Sequence, residues 1–290
     1  MSSIWIVMPI LAILMFLIGT ELKQASFKDI VKNPTPIIIG LIGQLVFLPI
    51  IAISIGLFMN LSPIYFAGLM LIALSPGGSS SNAFTLLAKG NIELSVLLTL
   101  FSSIITIFTL PIAMKWVTHY LLNNTSAAIE LVGEKIILQN ILLTIIPILL
   151  GIILKRKYPN IMQNLSKLLH RIVLPFLLIL VFIFILQHIQ EIYDNFIELG
   201  TAVASLIIVA ILCSSMMSRI CKLSTSNRRT IIIEVGMQNA AQAIAIATSP
   251  FVFNNEQMAL PAIIYTLLMN IVLLLYVLAV TNNSRTHKTQ

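Results

Sequence analysis

Nine apolar segments of membrane-spanning length follow one another along this chain of 290 residues, and no other sequence feature constrains the fold as strongly. Each is close to the roughly 20 residues that an α-helix needs to cross a hydrocarbon core of about 30 Å. Their approximate ranges are 4–22, 35–57, 64–88, 92–117, 136–154, 172–189, 199–217, 230–249 and 258–280. Charged residues make up only 9% of the chain, whereas about a quarter of the residues of soluble domains are charged. The sequence therefore predicts an all-α polytopic membrane protein with nine transmembrane helices.

The distribution of lysine and arginine predicts the orientation, because cytoplasmic loops carry the excess of these residues. With the N-terminus outside, 15 of the 17 basic residues fall on the inner side, and only Lys115 and Lys135 fall opposite. The first segment has no basic region before it and no convincing cleavage site after it, so we interpret it as a retained helix rather than a signal peptide. We expect a multi-pass protein of the cell inner (plasma) membrane with a cytoplasmic C-terminus. The net charge of +7 is then a topology signal, and it predicts no nucleic-acid partner.

The third segment contains a cluster of helix-breaking and polar residues, SPGGSSSN, at 75–82. Pro76 has no N–H and disfavours helix at Ser75, and the two glycines that follow weaken the helix further. A single kinked helix is the alternative, but a kink needs one breaker and this run has several. We therefore expect two half-helices joined by an unwound stretch. Such a stretch is tolerated at membrane depth only where it is buried in protein or lines a water-filled cavity.

The eighth segment contains the sequence EVGMQN at 234–239, and Glu234 is the only acidic residue that falls inside a predicted span away from its ends. An intramembrane carboxylate costs several kcal/mol and indicates a functional site by default. The alternative is a structural ion pair with a basic residue of another helix. No lysine or arginine occupies a mid-span position, which disfavours that alternative.

The polar residues of these two segments are predicted to meet near the membrane midplane. At about 1.5 Å of rise per residue, Asn82 and Thr99 reach the same depth on either side of the turn at 89–91. Ser95 and Thr99 are four residues apart and share a helix face, Gln44 reaches a similar level, and Glu234 lies somewhat lower. Oxygen ligands of this kind suit a hard cation, while half-helix N-termini favour anionic groups. The pattern is typical of an ion-coupled secondary transporter.

The broken segments also predict an inverted-topology repeat. Segments two to four have a broken member in the centre, and so do segments seven to nine. With nine spans these two triplets run in opposite directions through the membrane, as expected for such transporters.

Two sequence blocks carry a resemblance to a known family. The stretch SPGGSSSNAFTLLAKGNIELSVLLT is similar to the P-G-G-x-x-S-N…L-A-x-G-N-x-x-L-S-x-x-x-T block of the bile acid:sodium symporter (BASS) family, and EVGMQN is similar to its E-x-G-x-Q-N block. Weaker similarity extends from MFLIGTELK near the start to LLMNIVLLL near the end. The chain resembles the nine-helix, bacterial-type members. The resemblance implies one transmembrane transporter, 1–290, with a core domain of about 35–117 and 199–280 and a panel domain of about 4–22 and 136–189.

The resemblance also implies residue roles and two sodium ions. The first sodium site would comprise Ser81, Asn82, Ser95, Thr99 and Glu234. The second would comprise Gln44, Glu234 and Gln238 with the main-chain oxygens of Val235 and Met237. Residues expected near the substrate, in the cleft between the domains, are Ser79, Ser80, Asn239, Gln242 and Asn270.

Together these patterns predict a sodium-coupled symporter of an organic anion, bile acid-like or a small carboxylate or sulfonate, which works by alternating access in the lipid bilayer. No obligate protein partner is evident. One alternative is a proton-coupled carrier with Glu234 as the proton site, although a proton needs no cage of hydroxyls and amides. A serine hydrolase is disfavoured because no histidine or lysine is predicted at the midplane to act as a base, so we expect no enzyme and no catalytic residue.

Overall fold

The computed structural model describes residues 4–22, 33–122, 133–187 and 189–286. The α-helices, numbered in chain order, are α1 (Ile4–Glu21), α2 (Thr35–Ile42), α3 (Leu48–Phe58), α4 (Pro63–Ala73), α5 (Ser81–Leu87), α6 (Ile92–Leu122), α7 (Gly133–Asn140), α8 (Ile146–Lys157), α9 (Pro159–Gln187), α10 (Ile189–Ile220), α11 (Thr225–Gly236), α12 (Ala240–Thr248) and α13 (Leu260–Thr286). The described residues contain no β-strand, so the all-α prediction is confirmed. The bounds of α9 and α10 extend well beyond the apolar parts of the sixth and seventh segments because polar residues continue these helices past the hydrophobic core.

Within the part of the chain that the structure describes, two π-helical turns join shorter helices into continuous ones. Gly43–Phe47 connects α2 to α3, and Ile141–Ile145 connects α7 to α8. Each is followed closely by a proline, Pro49 or Pro147, which has no N–H to give and whose ring crowds the carbonyl four residues earlier. A widened turn accommodates both effects. Single π turns of this kind are frequent at functional sites.

The third and eighth apolar segments are both discontinuous helices. The third is divided into α4, which ends at Ala73, and α5, which begins at Ser81. The eighth is divided into α11, which ends at Gly236, and α12, which begins at Ala240. The helix breakers at 76–78 account for the first interruption, and the longer of the two unwound stretches is the one with more breakers.

Helix α1 packs closely on α8 and also contacts α9 and α12. At the crossing with α8, Gly19 faces the main-chain oxygen of Ile148 and Gly151 faces that of Phe16. A methyl group on either glycine would come within 2.1 and 2.3 Å of these oxygens. Small residues at this crossing therefore allow the two backbones to touch, as is common between membrane helices.

The outer surface is apolar, as expected for a protein in lipid. Large hydrophobic side chains such as Phe58, Ile112, Ile197 and Leu212 are exposed. Among the described residues, five stretches are long and apolar enough to cross a membrane: Thr35–Phe58, Ile92–Tyr120, Glu134–Lys157, Ile189–Ile220 and Gln257–Thr281. The protein is thus a polytopic membrane protein. The orientation stays a prediction, since both termini and four of the basic residues behind it (Lys23, Lys28, Lys32 and Lys288) lie outside the described residues.

Candidate functional site

The interruptions of the two discontinuous helices pair with each other. The amide of Gly78 donates to the carbonyl of Met237 at 2.9 Å, and the amide of Asn239 donates to the carbonyl of Pro76 at 2.8 Å. These bonds form a short antiparallel bridge centred on Gly77. Each unwound stretch thereby satisfies backbone groups that the other has freed, which removes much of the cost of breaking a helix at membrane depth.

Buried side chains satisfy further backbone groups at the breaks. The hydroxyl of Ser102, on α6, accepts a hydrogen bond from the amide of Gly77 at 3.1 Å. The hydroxyl of Tyr265, on α13, donates to the carbonyl of Gly236 at 3.0 Å. Helices on both sides of the bridge thus hold it in place.

Glu234 is fully buried beside this bridge, and hydroxyl and amide groups surround its carboxylate. Ser81 donates to Oε1 at 2.5 Å, and Ser95 donates to the same oxygen. Thr99 donates to Oε2 at 3.1 Å, and the amide of Gln44 approaches Oε2 at 3.4 Å. Three segments of the chain therefore converge on a carboxylate that a fourth segment carries.

The residues predicted for the second sodium site also lie together. The amide of Gln44 donates to the main-chain oxygen of Glu234 at 2.9 Å, and the amide of Gln238 donates to that of Val235 at 3.0 Å. The carbonyl of Met237 accepts from the bridge, as described above. These groups follow the last turn of α11 and the break after it.

Three buried amide oxygens in this region have no hydrogen-bond partner. They are Oε1 of Gln44, Oδ1 of Asn82 and Oε1 of Gln238. An acceptor buried without a partner costs about 1–3 kcal/mol. All three belong to residues predicted as sodium ligands, and amide oxygens are ligands that hard cations accept. The donor set thus fits a hard cation.

Gly77 leaves space beside the carboxylate of Glu234, the side-chain nitrogen of Gln44 and the hydroxyl of Thr99. A methyl group on Gly77 would lie 2.8 Å from Oε2 of Glu234 and 2.9 Å from Nε2 of Gln44. The hydroxyl of Thr99 would be 3.3 Å away. Only glycine lets the unwound backbone come this close to the carboxylate.

Sequence reasoning missed Glu21 as a neighbour of the site. Asn82 donates a hydrogen bond through Nδ2 to the carboxylate of Glu21, at the end of α1. Glu21 lies at the end of the first apolar segment and away from the polar clusters of the third and eighth. The available signal was the predicted topology, which places both Glu21 and the turn at 89–91 on the inner side of the membrane.

Of the residues predicted near the substrate, Asn239 and Gln242 contact each other, whereas Ser80 and Asn270 make hydrogen bonds to residues outside this set. Asn239 caps α12 by accepting from the amide of Gln242 at 3.0 Å, and Ser80 contacts the sulfur of Met237 at 3.3 Å. Ser79 is half-buried in the first break. The amide of Asn270 donates to the carbonyl of Thr266 within its own helix at 2.6 Å.

Asn140 and Thr144 are buried polar residues that sequence reasoning also missed. The side chain of Gln242 donates to Oδ1 of Asn140 at 3.1 Å, which links α12 to α7. Nδ2 of Asn140 and the hydroxyl of Thr144 have no hydrogen-bond partner. The signal was the polar pair Gln139-Asn140 inside the fifth apolar segment.

Residues 8–195 match the family model described as the sodium bile acid symporter family. This match covers more than half of the chain. The chain belongs to the sodium bile acid symporter family. The predicted family membership is therefore confirmed, and the matched range includes the SPGGSSSN stretch of the third segment but ends before Glu234. The protein is a membrane transporter rather than an enzyme.

Curated members of this family are similar over most of the chain. It is 28% identical to the "uncharacterized sodium-dependent transporter YocS" of Bacillus subtilis, over 90% of this chain and 78% of that protein. It is 28% identical to the chloroplast "probable sodium/metabolite cotransporter BASS1" of Arabidopsis thaliana, over 83% and 58% of the respective chains. It is 25% identical to the "hepatic sodium/bile acid cotransporter" of Rattus norvegicus, over 81% and 64%. The chain thus spans less than two thirds of the length of the latter two relatives.

Proposed function

We propose that this family member is a sodium-coupled symporter of an organic anion and works by alternating access. The observation that carries the proposal is the partnerless oxygen of Gln44, whose amide approaches the buried carboxylate of Glu234, together with the partnerless oxygens of Asn82 and Gln238. A cation supplies what these acceptors and the carboxylate lack, namely a compact positive charge without the directional demands of a hydrogen-bond donor. The names of the relatives, which include a sodium-dependent transporter and two sodium cotransporters, support the same choice of ion.

Two sodium ions are proposed, on the two sides of Glu234. The first would take oxygens from Ser81, Asn82, Ser95 and Thr99, and the second from Gln44, Gln238 and the main chain of Val235 and Met237. Both would share the carboxylate. The hydroxyl hydrogens that now point at Glu234 can rotate away, since a hydroxyl both donates and accepts. With two sodium ions and one monoanion, each cycle would carry one net positive charge, worth about 2.3 kcal/mol per 100 mV.

The moving parts in this proposal are the panel helices, 4–22 and 136–189, and the core helices, 35–117 and 199–280. The nine spans would contain an inverted repeat whose two broken members are the discontinuous helices described above. The contact between α1 and α12 lies on the boundary between the two groups. The substrate would be a bile acid-like compound or a small carboxylate or sulfonate in the cleft at this boundary.

Transport by the purified protein tests the proposal. Proteoliposomes would be loaded with potassium buffer and given an inward gradient of sodium or, as the control, of choline, and uptake of labelled taurocholate, cholate and pyruvate would be followed. We expect uptake of at least one acid in sodium, faster when valinomycin sets a negative interior. Equal uptake in sodium and choline would contradict sodium coupling, and uptake that follows an imposed pH gradient instead would favour the proton-coupled alternative.

A further inference from the structure

A relay of three buried amides connects the start of α12 to the π turn between α7 and α8. The backbone amide of Gln242 donates to Oδ1 of Asn239, and Nδ2 of Asn239 approaches Oε1 of Gln242 at 3.4 Å. Nε2 of Gln242 then donates to Oδ1 of Asn140 at 3.1 Å. All three side chains are at least nine-tenths buried.

The direction of this relay follows from its first member. A backbone N–H can only donate, so the atom of Asn239 that receives it must be the oxygen. Each later amide is then oriented by the one before it, and the relay ends at Nδ2 of Asn140. That group has two N–H donors and no partner, so the relay ends in a free donor and not in a free acceptor.

Thr144 adds a second free polar group one turn further along. Buried threonines elsewhere in the chain, such as Thr118 and Thr248, donate their hydroxyls to the carbonyl four residues earlier at 2.8 Å. The hydroxyl of Thr144 is buried without any partner. Asn140 and Thr144 occupy successive positions on the buried face of the helix that contains the π turn.

The surroundings favour a negatively charged ligand for these donors. Through Gln242, the amide of Asn140 is held beside the first turn of α12, where the N-terminal end of a half-helix carries partial positive charge. The polarity is opposite to that of the sodium sites, where the partnerless atoms are acceptors. A buried donor without a partner costs as much as a buried acceptor.

We propose that Asn140 and Thr144 form the panel side of the substrate site and bind the oxyanion of the transported acid, opposite the N-terminus of α12. This inference rests on the proposed function and adds to it the two residues that recognise the anion from the panel. The ligand class is an oxyanion with acceptors only, a carboxylate or a sulfonate. A carboxamide, which brings its own N–H groups, matches these donors less well.

Two near-isosteric variants test this assignment in the full-length protein in lipid nanodiscs. Thr144→Val removes the free hydroxyl, and Asn140→Asp keeps an acceptor for Gln242 but puts negative charge where the anion would bind. Thr118→Val, which removes a hydroxyl that is bonded to its own helix, is the matched control. Thermal shift in sodium buffer and binding of cholate, taurocholate, pyruvate and pyruvamide would be measured for each protein. Cholate and taurocholate share a ring system and separate the carboxylate from the sulfonate.

We expect Thr144→Val to melt at or above the wild-type temperature and to keep the full sodium shift, while the Kd of the preferred acid rises about tenfold, the usual effect of one lost hydrogen bond to a charged group. Asn140→Asp should lose acid binding and also keep the sodium shift. Thr118→Val should leave acid binding unchanged, and pyruvamide should not bind.

Unchanged acid affinity in both Thr144→Val and Asn140→Asp would overturn the inference, as would a loss of stability in Thr144→Val without loss of affinity. A wild-type protein that is stabilised by sodium but binds none of the acids would also overturn the inference and leave sodium coupling intact. A protein that binds an acid through Asn140 and Thr144 but ignores sodium would instead contradict the proposed function.

Discussion

The side-chain amide of Gln44 lies 2.9 Å from the main-chain oxygen of Glu234 and donates a hydrogen bond to it. This bond joins the π turn Gly43–Phe47 to the last turn of α11, two elements that are remote in sequence. It also fixes the side chain of Gln44 with its own oxygen buried and without a partner. The same contact therefore positions the helix that carries the carboxylate and presents an acceptor beside it.

Sodium should stabilise the purified protein more than potassium. A ligand that binds only the native state raises the free energy of unfolding by RT ln(1 + [L]/Kd), about 2.7 kcal/mol at a hundred times Kd. Melting temperatures in equal concentrations of sodium and potassium chloride would show this, and the common chloride controls for ionic strength. Equal midpoints at concentrations up to several hundred millimolar would contradict the cation sites.

Glu234→Gln should abolish sodium-driven uptake and leave the protein folded. The variant keeps the shape of the side chain but removes the charge that both cations would share, and buried cations without a counter-charge are costly. In sodium-free buffer it should be at least as stable as wild type, because a buried carboxylate has been removed. Its melting temperature should no longer respond to sodium. Robust sodium-dependent uptake by this variant would contradict sodium coupling through the carboxylate of Glu234.

Thr99→Val should reduce the sodium-induced shift, and it should also lower the melting temperature in potassium because the buried carboxylate of Glu234 loses a hydrogen-bond donor. The substitution removes the hydroxyl that lies 3.1 Å from Oε2 of Glu234 while it keeps the volume of the side chain. Thr106→Val is the control on the same helix, since its hydroxyl only donates to the carbonyl of Ser103 at 3.2 Å. A full sodium response in Thr99→Val would assign Thr99 to packing.

Gly77→Ala should remove the response to sodium and lower stability by about 1–3 kcal/mol, the usual cost of overpacking. The added methyl would lie 2.8 Å from Oε2 of Glu234, in the space where the ligands meet. Gly200→Ala is the control, because the nearest atoms to its methyl would be 3.8 Å away. That variant should be about 0.5–1 kcal/mol more stable, since it lies inside α10. Normal sodium binding by Gly77→Ala would place the cations elsewhere.

Asn239→Ala should weaken binding of the organic acid more than binding of sodium. It removes the cap of α12, which costs about 1 kcal/mol, and it interrupts the amide relay to Asn140. Asn239→Asp separates the two effects, because its oxygen can still accept from the amide of Gln242 while its charge repels the anion. Isothermal titration of acid and sodium into both variants would measure the split, and the reverse order would exchange the two roles.

Local sequence signals predicted the interruptions well, because proline and glycine act on the backbone where they stand. Pro76, Gly77 and Gly78 account for the unwound stretch before α5 without any tertiary information. The polar clusters near Asn82 and Glu234 likewise predicted which residues place oxygen-bearing side chains inside the membrane. Family resemblance supplied the division of these groups into two cation sites, which stays a proposal.

Pairings between segments could not be predicted in the same way. The hydrogen bond from Asn82 to Glu21 depends on how far α1 slides along its neighbours, and hydropathy carries no information on that register. The link from Gln242 to Asn140 likewise depends on where α12 lies relative to α7. The extra residue in the π turn after Asn140 rotates Thr144 relative to α7. A count at 3.6 residues per turn misplaces side chains beyond such a turn.

The backbone bridge between Gly78 and Met237 has a consequence for the synthesis of the protein. The two unwound stretches that it joins are more than half of the chain apart in sequence. Ribosomes add about 5–20 residues per second, so the first stretch is synthesised on the order of ten seconds before the second. During that interval its amides and carbonyls need water, lipid headgroups or an insertase to bond with. A nascent chain released before Thr225 lacks the second unwound stretch. Such a fragment would present an unsatisfied helix break to membrane proteases, so completion of the bridge distinguishes finished molecules from truncated ones.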